Sequence, residues 1–316
     1  MEIRDPIHGP ITVSEKEKAV IDHPLVQRLR RVKQLGFAEL TFPGATHSRY
    51  IHSIGTMHLA GLAFDSIFHA RPEGVSDKKL LQLRQCARLA GLLHDLGHPP
   101  LSHALESSFG GEGTPGIRTH EDLTVTLIKD REISRLLNDL FREEGITSGD
   151  IAGLISGNPS EIFSEGGLDL FPVLRQMISS EMDCDRMDYL LRDSFFTGVS
   201  YGNIDLKWLI SNLSWHETGG RLYLTLNSRA VFTFEDFLLS RYHMFLMIYF
   251  HNKTVIYERI LQRFVETGHL RIPLEPGAFI VCDDNWLYSK LAESENIYAG
   301  MLARQSPPKL ILEFWG

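Results

Sequence analysis

The chain has few cysteines, no long apolar run and no excess of positive charge. Its three cysteines, Cys86, Cys184 and Cys282, form no CxxC pair. This spacing excludes a cysteine zinc site and a disulfide framework, and it fits a reducing compartment. No segment reaches the ~18–20 apolar residues of a membrane span, and residues 1–6 contain no apolar signal region, so we expect a cytoplasmic protein without a membrane partner.

The net charge is −8 at pH 7 and no dense basic stretch is present. Both features argue against nucleic-acid binding, because such binding depends on many lysine and arginine contacts to phosphate. The sequence also lacks a GxxxxGK[ST] or GxGxxG loop, so it contains neither of the common glycine-rich phosphate-binding motifs.

The patterns that are present are mostly helical. Apolar residues recur at helical spacing, Ser14 with Glu17 forms a capping box, and Gly97 with Pro99 and Pro100 ends a long helix. Residues 222–226 alternate and predict one strand of a small hairpin. The fold class is therefore mainly α. Helices are expected at 15–35 (interrupted near Pro24), 54–68, 78–96, 119–130, 131–143, 148–156, 171–193, 205–213 and 233–267, followed by a C-terminal helical piece.

Histidines and aspartates form the most informative pattern. His94 and Asp95 lie at the end of an apolar helix, and His98 follows one helical turn later. Several imidazoles beside an apolar-flanked Asp are a poor core unless they bind a charge. His94 and Asp95, with His52 and Asp185 from other segments, make a set of two imidazoles and two carboxylates. That set suits a divalent ion such as Mn²⁺, Fe²⁺, Zn²⁺, Ni²⁺ or Mg²⁺.

Six short motifs in order resemble one family, the HD-domain phosphohydrolases, and most closely its deoxynucleoside triphosphate triphosphohydrolases. The motifs are Asp5-Pro6-Ile7-His8-Gly9, Gln27-Arg28-Leu29-Arg30, Lys33-Gln34-Leu35-Gly36, Phe42-Pro43-Gly44-Ala45, His94-Asp95-Leu96-Gly97-His98 and Asp185-Arg186-Met187-Asp188-Tyr189. The resemblance implies a helical HD domain with a small β-hairpin insertion over residues 1–270. It also implies a C-terminal helical extension at 271–316, shorter than in many relatives.

The resemblance implies a role for each matching position. The metal ligands fall on His52, His94, Asp95 and Asp185, and the acid–base residues fall on His98, His103, Glu106 and His120. The substrate-binding residues fall on Gln34, Leu35, Arg49, Arg186, Tyr189, Asp193, Arg241, Tyr249 and His251. Arginine suits a triphosphate because its guanidinium stays charged and offers paired donors. Phe250 departs from the pattern, because the animal relative has a glutamine beside the base at this position.

A possible activator site and an oligomer are also implied. Asp22, Gln27 and Arg30 match residues that bind an activating nucleotide between subunits of allosteric relatives. From composition alone, Arg28, Arg30, Arg31 and Lys33 are better interpreted as the solvated face of a helix. A homo-oligomer is expected because the family builds its sites near subunit contacts.

The expected function is metal-dependent hydrolysis of a deoxynucleoside triphosphate to deoxynucleoside and triphosphate. One alternative keeps the site and changes the substrate to a nucleoside mono- or diphosphate, a nucleotide analogue, a cyclic nucleotide or a guanosine polyphosphate. The cyclic-dinucleotide branch is disfavoured because no HHExxDGxGYP run is present. The other alternative is a non-catalytic module that senses nucleotides or binds single-stranded nucleic acid.

Overall fold

Helices dominate the fold, as the sequence predicts. A computed structural model describes residues 1–101, 105, 109, 117–268 and 270–304. Within them the α-helices are α1 (Glu15–Ile21), α2 (Pro24–Arg28), α3 (Arg49–Ile67), α4 (Asp77–Leu93), α5 (His120–Lys129), α6 (Arg131–Leu140), α7 (Ser148–Ser156), α8 (Phe171–Ile178), α9 (Cys184–Thr197), α10 (Leu206–Ser211), α11 (Val231–Met244), α12 (Asn252–Glu266), α13 (Pro276–Phe279), α14 (Asp284–Glu293) and α15 (Ile297–Ala303). None of these helices is long and apolar enough to cross a bilayer.

Two small sheets accompany the helices in the described residues. Strands β1 (Glu2–Asp5) and β2 (Gly9–Thr12) form an antiparallel hairpin in which Asp5 pairs with Gly9. The second sheet has the order β3-β4-β6-β5, formed by Ser164–Glu165, Leu168–Asp169, Arg221–Leu226 and Leu213–Thr218 respectively. Strands β5 and β6 are the hairpin predicted around residues 222–226, and β6 also pairs in parallel with β4.

Helix α3 lies at the centre of the core and packs against both α4 and α9. Most of its side chains are buried, including those of Ile54, Met57 and Leu59. A Cβ at Gly91 on α4 would lie 3.0 Å from the carbonyl oxygen of Thr56. The absence of a side chain at Gly91 therefore lets α4 approach α3 closely. This packing brings the C-terminal end of α4 beside the first turn of α3.

Two helices predicted as continuous are interrupted. The segment 171–193 is divided into α8 and α9, because Asp183 acts as the N-cap of α9 and accepts hydrogen bonds from the backbone NH groups of Ser180 and Arg186. The segment 233–267 is divided by a π-helical turn, Phe245–Tyr249, before His251 caps α12. Such turns are frequent at functional sites, and both interruptions border the cavity described below.

Candidate active site

Four predicted metal ligands converge from three helices. His52 lies in the first turn of α3, His94 caps the C-terminal end of α4 with Asp95 next to it, and Asp185 lies in the first turn of α9. The His52 Nε2 atom is 3.0 Å from Asp185 Oδ1 and 3.3 Å from His94 Nε2. The His94 Nε2 atom is 3.3 Å from Asp95 Oδ1 and 3.6 Å from Asp185 Oδ1. Ligands at about 2.1 Å from a tetrahedral ion are about 3.4 Å apart, so these spacings fit one divalent ion.

Hydrogen bonds orient both histidines toward that position. His94 Nδ1 lies 2.8 Å from the carbonyl oxygen of Gly91, which can only accept, so Nδ1 carries the proton. His52 Nδ1 lies 2.7 Å from a carboxylate oxygen of Asp188 and donates to it. In each ring the Nε2 lone pair is then free to bind a metal.

The buried carboxylates of the cluster are stabilised by nearby positive charge. Burial opposes protonation of His52, but hydrogen bonds to Asp185 and Asp188 raise its pKa to about 10. Burial also opposes ionisation of Asp95, yet His94 and Arg49 hold its pKa well below the usual range. A divalent cation would take over the role of these protons, since ligands must be deprotonated to bind it. The donor set therefore fits a divalent metal.

A second group of possible ligands, Asp95, His98 and His120, shares one carboxylate with the first. Arg49 already forms an ion pair with Asp95, and its positive charge disfavours another cation there. The rings of His98 and His120 stack with their centroids 3.8 Å apart. Burial and the charge of Arg49 lower the pKa of His98 well below its usual range. A neutral imidazole at this position can accept a proton.

A cavity of about 520 Å³ opens in front of the His–Asp cluster formed by His52, His94, Asp95 and Asp185. His52 is fully buried behind it, and His251 does not line it: its ring caps α12 and packs edge-on against Phe42 at 5.6 Å. His103 and Glu106 lie outside the described residues. The other predicted catalytic, metal and substrate residues line this cavity: Gln34, Leu35, Arg49, His94, Asp95, His98, His120, Asp185, Arg186, Tyr189, Asp193, Arg241 and Tyr249.

Acceptors from one short segment orient two of the cavity arginines. Arg186 donates to the Asp183 carboxylate and the Ser180 carbonyl, and Arg241 donates to the Glu181 carboxylate. The break between α8 and α9 thus supplies a platform that holds guanidinium groups at the cavity wall. Fixed guanidinium groups are well suited to phosphate oxygens.

Arg175 is a cavity residue that the sequence reasoning missed. It is half-buried on α8 and lines the cavity. In the described part of the chain it has no ion pair or side-chain hydrogen bond, and burial lowers the pKa of its guanidinium. The carboxylates of Glu121 and Asp183 oppose this shift but form no ion pair with the guanidinium, so a bound anion would stabilise a cation that is partly removed from water. The available signal was an arginine inside the apolar run Phe171–Ile178.

Buried polar groups lie at the opposite side of the cavity. Asp193 is almost fully buried, and its two oxygens are 2.7 Å from His47 Nε2 and 2.8 Å from the Tyr249 hydroxyl. The ring of Tyr189 meets that of Tyr249 edge to face at 6.1 Å. His47, also missed from the sequence, stacks on Phe196 at 4.6 Å. This network can recognise a hydroxyl-bearing ring such as a sugar.

The predicted activator residues lie away from the cavity. Gln27 accepts a hydrogen bond from Arg30 Nε at 2.7 Å, and the Arg30 guanidinium lies 3.6 Å above the Tyr50 ring. Asp22 is exposed at the end of α1. Arg28 departs from the solvated-face interpretation, because it is buried and donates to the carbonyl oxygens of three residues: Leu96 at 2.9 Å, His98 at 2.8 Å and Cys282 at 2.6 Å.

Comparison with known proteins identifies the class. Residues 49–193 match the HD domain and residues 204–310 match the HD associated region. An uncharacterized protein of Mycoplasma genitalium is 32% identical over 98% of this chain and 68% of its own length. A hypothetical protein from Aquifex aeolicus, solved by crystallography, has a TM-score of 0.78 at 32% identity, covering 96% of this chain and 75% of that one. The chain belongs to the HD-domain phosphohydrolase family.

Other similar proteins include two whose names state an activity. The deoxynucleoside triphosphate triphosphohydrolase SAMHD1 of Xenopus laevis is 29% identical over 96% of this chain and 51% of its own length. A phosphohydrolase from Bacteroides thetaiotaomicron has a TM-score of 0.75 at 26% identity, covering 97% of this chain and 78% of that one. An uncharacterized protein of Methanocaldococcus jannaschii is 30% identical over 99% of this chain, which spans 59% of the archaeal protein's length.

Proposed function

We propose that the protein hydrolyses deoxynucleoside triphosphates to deoxynucleoside and triphosphate with a divalent metal at His52, His94, Asp95 and Asp185. The observation that carries the proposal is one cavity with a His–Asp cluster, four arginines and a buried Asp193–Tyr249 pair. Four guanidinium groups balance a highly charged phosphate chain better than a single phosphate. The similarity to SAMHD1 favours the same substrate class.

The arginines and the metal ligands of the cavity have separate roles in the proposed reaction. Arg49, Arg186 and Arg241 bind the phosphate oxygens, with Arg175 as a fourth cation. A bound metal would act as a Lewis acid on an α-phosphate oxygen. Water adds its oxygen to the α-phosphorus, and the bond from phosphorus to the sugar 5′-oxygen breaks.

Two protons must move in this reaction. The water loses one to a neutral imidazole, and the leaving 5′-oxygen gains one to become the hydroxyl of the deoxynucleoside. His98 and His120, stacked beside Asp95, are the described residues suited to this transfer. His103 with Glu106 remains the predicted acid–base pair at the leaving oxygen. At the other end of the cavity, Tyr189, Asp193 and Tyr249 hold the sugar, and Gln34 and Leu35 lie beside it.

The product identifies the reaction. Purified protein is incubated with each deoxynucleoside triphosphate, singly and in mixtures, with Mg²⁺ and then Mn²⁺, and products are separated by anion exchange. Deoxynucleoside with intact triphosphate supports the proposal, whereas monophosphate or free phosphate assigns another nucleotide phosphohydrolase reaction. Turnover only in mixtures would support an activator site at Asp22, Gln27 and Arg30. A metal-loaded protein without any turnover would favour a sensing module.

Matched variants test the metal cluster. His94→Ala should abolish turnover, while His216→Ala, at an exposed histidine of β5, should leave it unchanged. Full activity of a folded His94→Ala protein would refute the proposed mechanism.

We also propose that the protein forms a homo-oligomer through the outer face of α11. Phe232, Leu239 and Tyr242 are 78%, 55% and 59% exposed, at spacings of seven and three residues that align them on one side of the helix. An exposed apolar stripe of this kind is typical of a subunit contact. A second copy is the expected partner, because helix pairs with this spacing pack their stripes against each other.

A further inference from the structure

We propose that the N-terminal hairpin, through His8, is a positioning element for the metal ligand His52 and sets the affinity of the site for its ion. The inference rests on the proposed metal site but not on the identity of the substrate. His8 lies in the turn between β1 and β2, outside the residues that match the HD domain. Its motif, Asp5-Pro6-Ile7-His8-Gly9, has no role in the reaction described above.

The link between the two histidines is one fully buried carboxylate. His8 Nε2 lies 2.6 Å from Asp188 Oδ1, and His52 Nδ1 lies 2.7 Å from Asp188 Oδ2. Neither His52 nor Asp188 is accessible to solvent. The orientation of the Asp188 carboxylate therefore decides where the His52 ring points, and His8 holds one end of that carboxylate.

Arg192 ties the same carboxylate to the hairpin a second time. Its Nε and Nη2 atoms each donate to Asp188 at 2.8 Å, and its Nη1 atom donates to Asp5 Oδ2 at 2.8 Å. The other oxygen of Asp5 accepts from the backbone NH groups of Ile7 and His8 at 2.8 and 2.9 Å. Asp5 therefore stabilises the turn that carries His8 and also binds Arg192.

The Asp188 carboxylate packs directly against the backbone of α3. A Cβ at Gly55 would lie only 1.9 Å from Asp188 Oδ1, so this position of α3 must be glycine for Asp188 to reach His52. With His8, His52 and Arg192 as donors, both oxygens of Asp188 carry two hydrogen bonds. Carboxylates that orient a ligating histidine typically change metal affinity 10- to 100-fold when their arrangement is disturbed.

The test measures metal binding without nucleotide. His8→Leu removes the donor and keeps an apolar side chain, His8→Gln can restore a donor near the Nε2 position, and His216→Leu is the matched control. Apo protein is titrated with Mn²⁺ against a competing chelator, and Co²⁺ absorption reports the ligand geometry. We expect the Kd for Mn²⁺ to rise 10- to 100-fold in His8→Leu, with an altered Co²⁺ spectrum, and to return toward the native value in His8→Gln.

The same two measurements define the outcome that would contradict the role of His8. A Kd within twofold of the native value and an unchanged Co²⁺ spectrum in His8→Leu would overturn the inference. If that variant fails to fold, Asp5→Asn, which removes one of the two charged partners of Arg192, decides by the same two measurements. The inference and the proposed substrate can fail separately. If His8→Leu weakens metal binding but the native protein hydrolyses no deoxynucleoside triphosphate, the proposed substrate is refuted and this inference stands.

Discussion

Arg28→Met should destabilise the protein and weaken its metal site together. The substitution keeps an apolar stem in place of a guanidinium that bonds to the carbonyl oxygens of Leu96, His98 and Cys282 and lies 4.1 Å above the Phe279 ring. Each buried carbonyl left without a donor costs roughly 1–3 kcal/mol. Relief of the buried charge offsets part of that loss. We expect a net loss of about 3 kcal/mol in the free energy of unfolding.

Urea denaturation of the apo protein measures this loss, and chelator competition measures the metal affinity. Two of the three carbonyls follow Asp95 in the loop, so the loop should loosen and the Kd for Mn²⁺ should rise. Arg142→Met is the control, because Arg142 and its partner Asp139 are both exposed and their ion pair should contribute less than about 1 kcal/mol. Equal losses in the two variants would refute the reasoning.

Four further outcomes are expected. Tyr249→Phe removes a hydrogen bond to a charged group and opens space beside the sugar, so the ratio of kcat/KM for dATP over ATP should fall about tenfold, whereas Tyr201→Phe, at an exposed tyrosine that does not line the cavity, should not change it. Arg175→Ala should raise both the KM for the substrate and the inhibition constant of inorganic triphosphate about tenfold, since one charge-assisted contact is lost. Burial raises the pKa of Asp284 from 3.8 to about 6, so its contribution to folding is complete below about pH 4 and is lost as the pH rises through 6. The stability of the native protein relative to Asp284→Asn should then fall by up to about 3 kcal/mol between pH 4 and pH 7 in urea titrations. Leu239→Glu should convert the oligomer to a monomer by light scattering, because it buries a charge in the proposed contact.

Local patterns were sufficient to predict most helices and the residue types of the His–Asp cluster. A helix end followed by His94 and Asp95 is readable because apolar periodicity, Gly97 and the prolines all lie within a few residues. The breaks before α9 and α12 were missed because they depend on a capping side chain and a π turn inside otherwise helical patterns. Asp183 is a favourable N-cap residue by type, but the apolar pattern around it continues without a break, and the residue type of Phe245 gives no signal of a π turn.

Contacts between distant segments could not be predicted from the same patterns. Arg28 looked like a surface residue, since its carbonyl partners are separated from it by 68, 70 and 254 positions. The pairing of His47 with Asp193 spans 146 positions. Arg175 was missed for a related reason: its position at a cavity depends on how α8 packs, and an arginine in an apolar run has no periodic signature.

Helix α9 sets the distance between the two ends of the cavity. It carries Asp185 at the metal cluster, Arg186 and Tyr189 along the cavity and Asp193 at the far end. At 1.5 Å per residue, the Cα atoms of Asp185 and Asp193 are about 12 Å apart along the axis. A rigid helix cannot shorten or lengthen that interval, and inserting one residue would rotate every later side chain by about 100°. The distance between the His–Asp cluster and the Asp193 carboxylate is therefore fixed by backbone geometry, and a longer or shorter ligand must be accommodated by the opposite wall of the cavity.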